Sequence, residues 1–185
     1  MQLQKHQDDE LLKLARKADE QAFAALVTRH QGKVRRIVAG MIGYNSEVDD
    51  IAQEVFIRFY KSMDRFEGNA QLSTYLGRIA IRTTLTAIEK RKKYKNRFPF
   101  SLQEKDKTWS DGNRNIRQLD MKDAIQLALK QLSEDHRSVV VLRLVEGYSV
   151  EETAKMLSLP TGTVASRLSR AQLALRRILK PILSN

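Results

Sequence analysis

Within the acidic stretch "NSEVDDIAQE" at 45–54, Asp49, Asp50, Gln53 and Glu54 stand close together, with Phe56 just beyond. Side chains three and four apart meet on one face of a helix, so this set has two chemical uses. Helical carboxylates at such spacing can hold a magnesium ion, as in "DDxxD" helices that bind diphosphates. They can equally form an acidic face for docking a protein. The metal use needs a second carboxylate helix, and only Asp8, Asp9 and Glu10 cluster comparably elsewhere. A solvated face or a protein-docking face is therefore expected, with no metal. His6, His30 and His136 are scattered, with no HExxH pattern and no cysteine to complete a thiolate site. They are expected at surface or capping positions. With no GxGxxG, P-loop or GxSxG either, no catalytic residue and no cofactor is expected.

Positive charge is the second chemical feature. Lys and Arg number 33 against 22 Asp and Glu, a formal net charge of +11, and a basic surface attracts polyanions. The distribution matters more than the sum. "KRKKYKNR" at 90–97 holds six basic side chains and no acid, and no acid follows Glu152, whereas Lys155, Arg167, Arg170, Arg176, Arg177 and Lys180 do. Patches of opposite sign imply two different partners. Before and within the first basic tract, Phe66, Tyr75 and Tyr94 supply aromatic faces beside the cations. That combination suits single-stranded DNA, which needs faces to stack on and charges for its backbone. Packing in a core remains open for the same aromatics.

The third feature is a pair of short helices near the C-terminus. Ser149 followed three residues later by Glu152 is a capping box. The connector "SLPTG" leads into a run whose Val164, Leu168, Ala171, Leu175, Ile178 and Ile182 line up one buried stripe. This is a helix-turn-helix pattern. Thr161, Gly162, Thr163, Ala165 and Ser166 at the start of the second helix are small, which allows close approach to a major groove. Ser166, Ser169, Arg170, Leu173 and Arg177 point broadly outward. Arg170 is the long side chain able to bind guanine in a bidentate way, while Arg167, Arg176 and Arg177 suit phosphates.

The elements that position these groups read as helices throughout. Leu11, Leu12, Leu14, Ala15 and Ala18 open a short amphipathic helix. A second starts after Asp19 as N-cap and carries Phe23, Leu26, Val27, Val34, Ile37, Val38 and Met41. After Gly43, Asn45 and Ser46, a third runs from about Glu47 to Phe66. "EGNAQLS" reads as a loop before a helix from about Ser73 through Lys92. Residues 95–118 lose periodicity and collect Pro99 and Gly112, the pattern of a linker. Phe98, Phe100 and Trp109 within it are expected to dock on something. Helices resume with Ala124, Leu127, Ala128 and Leu132. "SVVVLRLVEG" at 138–147 is expected to be helical despite its valines, because Gly147 suits a helix stop. "SVEETAKMLS" follows, with Val150, Ala154 and Leu157 as its core face. The expected fold is all-α: two small helical domains at 1–94 and 119–185 joined by a linker at 95–118. Hydrophobic residues at 42% and charged residues at 30% suit a soluble globular chain. No apolar run approaches the ~18 residues of a spanning helix, so no membrane insertion is expected. The absence of cysteine fits a reducing cytoplasm.

"DDIAQEVFIRFYKSMDRFEGNAQLSTYLGRIA", then a basic tract, a linker and "LSEDHRSVVVLRLVEGYSVEETAKMLSLPTGTVASRLSRAQLALRR" resemble the extracytoplasmic-function sigma factors of bacterial RNA polymerase. The likeness runs from about Phe23 to Ile182. It implies an alternative sigma factor that binds core polymerase, directs it to promoters and helps to melt the start site. Asp49, Asp50, Gln53, Glu54 and Phe56 then belong to the helix that docks on a coiled coil of the largest catalytic subunit. Residues 66–76 resemble the loop that captures a base flipped from the minus-ten element, so Phe66, Asn69, Ser73, Tyr75, Arg78 and Arg82 are expected on melted DNA. Lys90, Arg91, Lys92 and Lys93 would hold the adjacent backbone. The helix-turn-helix would read the minus-thirty-five element as duplex, through Thr161, Thr163, Ser166, Arg167, Ser169, Arg170 and Arg177. The linker would thread toward the active-site channel, and an anti-sigma factor is an implied partner. Tyr75 stands where the family often has tryptophan, Arg82 where it often has asparagine, and Ala165 where it usually has Lys or Arg. An altered promoter preference follows from the last two. Two rivals keep to the residues alone: a dimeric helix-turn-helix regulator that never meets polymerase, and a magnesium-dependent helical enzyme.

Overall fold

The computed structural model describes residues 7–68, 70–97 and 121–183, with side chains except those of 122 and 181–183. Every regular element among them is helical: α1 (Asp8–Ala15), α2 (Glu20–Ile42), α3 (Glu47–Ser62), α4 (Leu72–Arg97), α5 (Met121–Gln131), α6 (Glu134–Val140), α7 (Val150–Leu157) and α8 (Thr161–Leu183). A 3₁₀ turn at Met63–Arg65 follows α3, and a π turn at Val141–Val145 extends α6. None of the described helices is long and apolar enough to cross a membrane.

Local chemistry sets the ends. The Asp19 carboxylate accepts from the Ala22 N–H at 2.9 Å and caps α2, a contact of the kind that contributes about 1 kcal/mol. Gly43, at φ 82°, closes the same helix in a conformation that a side chain disfavours. Ser149 and Glu152 exchange their capping bonds at 3.0 and 2.8 Å at the start of α7.

Helices α1–α4 enclose one core in which Leu26, Ile37, Val55, Phe59, Leu76 and Ile81 are fully buried. Helices α5–α8 enclose two smaller clusters, Leu129, Leu132, Val140 and Ala171 in one and Val139, Ala154 and Val164 in the other. The two groups of helices are packed on one another. Val141, Leu142, Tyr148 and Met156 belong to the core of the first group. Two helical glycines make room for them. A Cβ on Gly40 would stand 2.8 Å from a Val141 methyl, and one on Gly77 would stand 2.5 Å from the Tyr148 hydroxyl and 2.7 Å from Met156 Cε.

Several expectations need correction. Helix α1 spans Asp8–Ala15 rather than reaching Ala18, because the chain turns there, with Lys17 N–H on the Leu14 carbonyl and Ala18 N–H on that of Ala15. Ala18 instead forms a left-handed turn at φ 64°. Helix α3 stops at Ser62, short of Phe66. There the Arg16 guanidinium donates to the carbonyl oxygens of Met63 and Phe66, which a longer helix would have used itself. Helix α4 runs through Arg97, past Lys92 and into the expected linker. Its basic tract has good helix formers without Gly or Pro, and cations suit the C-terminal end. The rest of that stretch, with Phe98, Phe100 and Trp109, lies outside the described residues, as do Asn69 and His6. His30 is not a surface residue. It is 8% exposed, with Nε2 2.8 Å from Asp8 Oδ2, because α1 packs across α2. Helix α7 buries Thr153 and Met156 as well as Ala154, because it packs on α4 and α8 at once.

Candidate nucleic-acid interface and docking cleft

A cleft of about 580 Å³ opens between α2 and α3, lined by Phe23, Val27, Gln31 and Arg35 from the first and by Asp49, Asp50, Ala52, Gln53, Phe56, Ile57 and Tyr60 from the second. Its floor is aromatic: Phe23 meets Tyr60 edge-on at 5.1 Å and Phe59 in a stack at 6.0 Å. Ile57 and Tyr60 remain 44% and 51% exposed, more apolar surface than an unoccupied rim needs. Asp49 pairs with Arg35 at 2.6 Å with both side chains more than half exposed, so the pair is weak and exchangeable. Of the five docking residues expected from sequence, Asp49, Asp50, Gln53 and Phe56 line this cleft. Glu54 turns instead to Arg58 at 2.7 Å, one turn along α3. Among the described residues, no group of three or more ligating side chains is placed to hold a metal. Phe23, Ile57 and Tyr60 escaped sequence reasoning, although Ile57 and Tyr60 stand as apolar residues off the buried stripe of α3.

Most residues expected on a single strand lie on helix α4 and in the turn before it. Phe66 and Tyr75 form one aromatic unit with ring centroids 4.8 Å apart. Phe66 is buried, and the Tyr75 hydroxyl donates to Ser62 Oγ at 3.0 Å. The pair thus fixes the loop before α4, and neither ring lies bare. Arg78, Lys90 and Lys93 extend into solvent. Arg91 lies 3.8 Å from Glu47, and Lys92 pairs with Glu134 at 2.7 Å. Ser73 and Arg82 both touch the α5–α8 group: the Ser73 carbonyl accepts from the Tyr148 hydroxyl at 2.9 Å, and Arg82 donates to Ser158 Oγ at 2.6 Å. Burial is the main cause that lowers the Arg82 pKa, with Arg78 adding to it.

Helix α8 presents the expected duplex-reading face. Thr161, Ser166, Ser169, Arg170 and Arg177 are exposed, while Thr163 and Arg167 are half-buried. Arg167 already pairs with Asp135 at 2.9 Å. Val164 and Ala171 sit fully buried on the opposite face, so the stripe read from sequence orients the helix. Its exposed N-terminal end carries small residues, and the exposed Arg170 follows further along the helix.

Between the groups lies a polar seam. Arg137 donates from Nη1 to the Met41 carbonyl at 2.6 Å, from Nε to Leu129 at 2.7 Å, and from Nη2 to Lys130 and Leu132 at 2.8 Å. Burial lowers its pKa, and Glu134 opposes the shift. Arg36 holds Glu146 through two bonds at 2.9 and 3.2 Å, which raises the arginine's pKa against the desolvation it suffers. Lys33 Nζ lies 4.2 Å over the Tyr148 ring, a cation–π contact. Glu152 accepts from Thr74 Oγ1 at 2.9 Å. The Ser149 backbone N–H is the first cause that holds its carboxyl below the usual range.

A helix-turn-helix unit beside a second helical unit with an acid-rimmed cleft defines a class of DNA-binding protein built to meet a protein as well. Residues 26–94 match the sigma-70 region 2 family, and residues 122–175 match the sigma-70 region 4 family. The chain is 31% identical over 192 residues to the RNA polymerase sigma-H factor of Pseudomonas aeruginosa, covering 98% of each. It is 31% identical over 185 residues to the ECF RNA polymerase sigma factor SigW of Bacillus subtilis, covering 92% of this chain and 96% of the relative. It is 30% identical over 184 residues to the ECF RNA polymerase sigma-E factor of Escherichia coli K12, covering 95% and 96%. Among solved structures it resembles the sigma factor RpoE in complex with the anti-sigma factor NepR from Bartonella quintana, at TM-score 0.67 and 23% identity over 85% of this chain and 96% of that one. CnrH in complex with the cytosolic domain of CnrY is similar at TM-score 0.67 and 24% identity over 94% and 97%. The chain belongs to the extracytoplasmic-function family of RNA polymerase sigma factors, and its function is that of an alternative sigma factor in promoter-directed transcription initiation.

Proposed function

We propose that the three surfaces divide the work of initiation. The α2–α3 cleft takes a helix of core polymerase, with Phe23, Ile57 and Tyr60 against its apolar side and Asp49, Asp50 and Gln53 against basic or polar groups at its rim. Helix α4 and the loop before it take the melted minus-ten strand: Phe66 and Tyr75 shape the pocket, Ser73, Arg78 and Arg82 face the bases, and Lys90, Arg91, Lys92 and Lys93 follow the backbone. Asn69 is assigned there on sequence alone. Thr161, Thr163, Ser166 and Ser169 of α8 line the minus-thirty-five groove, Arg170 reads a base, and Arg167 and Arg177 meet phosphates. We assign residues 1–94 to the first domain and 119–185 to the second, with no catalysis by either and with polymerase in the cytoplasm as the place of work. An anti-sigma factor is a partner we extend to this chain from the RpoE–NepR complex.

The observation that carries this reading is the pairing, in one chain, of an acid-rimmed apolar cleft with an exposed, basic α8 face. A DNA-binding regulator has no use for the cleft. Run-off transcription with bacterial core polymerase on a promoter library tests it. The chain is expected to make core enzyme start at discrete sites, and a uniform background with and without the chain refutes the reading.

A further inference from the structure

A pocket of about 340 Å³ opens where α2, α3 and α4 meet α5 and α6. Its floor is aliphatic: Met41 and Ile42 from α2, Ile51 from α3, and Ala87 and Ile88 from α4. Its rim is cationic, with Arg91, Lys92 and Lys95 from the last turns of α4, Lys130 from the end of α5 and Arg137 from α6. Among the described lining residues Glu47 is the only acid, and none carries an aromatic ring, an amide or a hydroxyl side chain. Part of the positive charge has local work. Arg137 donates to the Met41 carbonyl, and a Cβ on Gly43 would stand 2.5 Å from Lys130 Cε, so both cations lie at the C-terminal end of α2. That end carries only about half a negative charge. The four Arg137 hydrogen bonds given above all go to carbonyl oxygens, which offset a half-buried cation less than a carboxylate does. The pocket thus sets an excess of cations over an apolar floor.

We propose that this pocket binds a small amphiphilic phosphate, with a phosphomonoester or diphosphate head on the cationic rim and an alkyl or branched-alkyl body on the aliphatic floor. The volume falls within the roughly 300–1,000 Å³ of small-molecule sites, which are mostly apolar with a few polar groups that fix orientation. A phosphomonoester brings a charge of about −1.5 to −2 and three acceptor oxygens. It therefore suits a rim of several donors better than a carboxylate, and the arginine fork takes its oxygens in pairs. A nucleotide fits less well. A base wants a ring to stack on and hydrogen-bonding partners for its edges, and the floor residues supply neither. Because both groups of helices contribute walls, an occupant ties α4 to α5 and α6. The pocket shares no lining residue with the α2–α3 cleft. Its binding does not depend on the assignment of Arg91 and Lys92 to DNA.

The probes are octyl phosphate below its micelle concentration, octan-1-ol and inorganic phosphate, each titrated into the full chain by isothermal calorimetry. Octyl phosphate is expected to bind at a single site, about tenfold or more tighter than either fragment, and to raise the thermal unfolding midpoint. Lys95 is exposed near the end of α4, so Lys95→Glu changes the rim without touching the core. It is expected to weaken octyl phosphate by about fivefold or more and to leave octan-1-ol within about twofold. Ala87→Trp fills the floor and is expected to weaken both amphiphiles, and its own thermal unfolding shows whether it is folded. If it is not, Lys95→Glu decides. Ile57→Asp alters the α2–α3 cleft, the other apolar site, and is expected to leave octyl phosphate binding unchanged. Inorganic phosphate that binds as tightly as octyl phosphate makes the pocket a patch of charge only and overturns the proposal. No binding of octyl phosphate overturns it too. So does binding that survives Lys95→Glu, or that disappears with Ile57→Asp.

Discussion

Tyr148 and Gly77 fit as key and notch: the phenol ring of one lies where any side chain on the other would stand, 2.5 Å from the place of a Cβ. The contact joins a residue of the turn before α7 to the second turn of α4, 71 positions earlier in the chain. It brings the two halves of the protein into one core and places a hydroxyl on the Ser73 carbonyl. Arg137 joins the same two groups of helices at a separate point, the Met41 carbonyl of α2.

Arg137 satisfies four backbone carbonyls, one of them on α2. Arg137→Met leaves those acceptors without their donor and is expected to cost about 3 kcal/mol or more, given the penalty for unpaired buried polar groups. Arg137→Lys should recover less than half of that loss, because an ammonium cannot span the fork. Urea denaturation reads both; a Met variant within about 0.5 kcal/mol of wild type, the range of ordinary surface substitutions, contradicts the role.

Arg170 projects from α8 without the ion pair that occupies Arg167. Arg170→Ala is expected to lower discrimination at one minus-thirty-five base pair by roughly 1–3 kcal/mol. Competition binding with single-base operator variants measures it. An equal loss on every sequence makes Arg170 a phosphate contact instead.

Asp50 sits at the exposed rim of the α2–α3 cleft. Asp50→Lys should weaken binding to core polymerase by about tenfold, or ~1.4 kcal/mol, and leave duplex binding through α8 unchanged. Ile57→Asp should act in the same direction by removing apolar contact. Fluorescence anisotropy against core enzyme tests both. Unchanged affinity in the two variants moves the docking site elsewhere.

The seam is expected to weaken at both extremes of pH. Burial first, then Glu146 and Glu152, raises the Tyr148 pKa, with Arg36 opposing. A raised pKa means that the stabilisation is complete below the unfolded value near ~10 and is lost as pH climbs toward the folded value. Glu152 is shifted down, so its share is present above the unfolded value near ~4.3 and is lost as pH falls through the folded one. Tyr148→Phe should flatten the alkaline limb and Glu152→Gln the acid limb of a denaturation-versus-pH profile. A limb that keeps its slope in the matching variant assigns that titration to another group.

Much of the local architecture was legible because its causes are local. The Asp19 cap, the Ser149–Glu152 box and the Val164–Ala171 stripe each depend on residues within a few turns, and each is present. The cleft was half legible. Asp49, Asp50 and Gln53 follow from the periodicity of α3, but the wall made by Phe23 and Arg35 depends on how two helices meet, which no single period encodes. The seam was not read at all. Thr153 and Met156 lie off the expected stripe of α7, because that helix has two neighbours. Gly40 and Gly77, each inside a strongly helical run, were the available signal, since a mid-helix glycine costs about 1 kcal/mol against alanine and usually marks close packing.

The seam's carboxylates also bear on how the protein responds to ions. Salt weakens DNA binding by removing the entropy gained when counterions leave the phosphates. The same salt screens the exposed Lys92 cation on Glu134, but reaches Arg36–Glu146 much less, because the Glu146 side chain is only 1% exposed. Added ions are therefore expected to loosen phosphate contacts sooner than they part the two groups of helices. At high salt the chain is expected to let go of DNA while its halves stay joined through the uncharged contacts of Val141, Tyr148 and Met156.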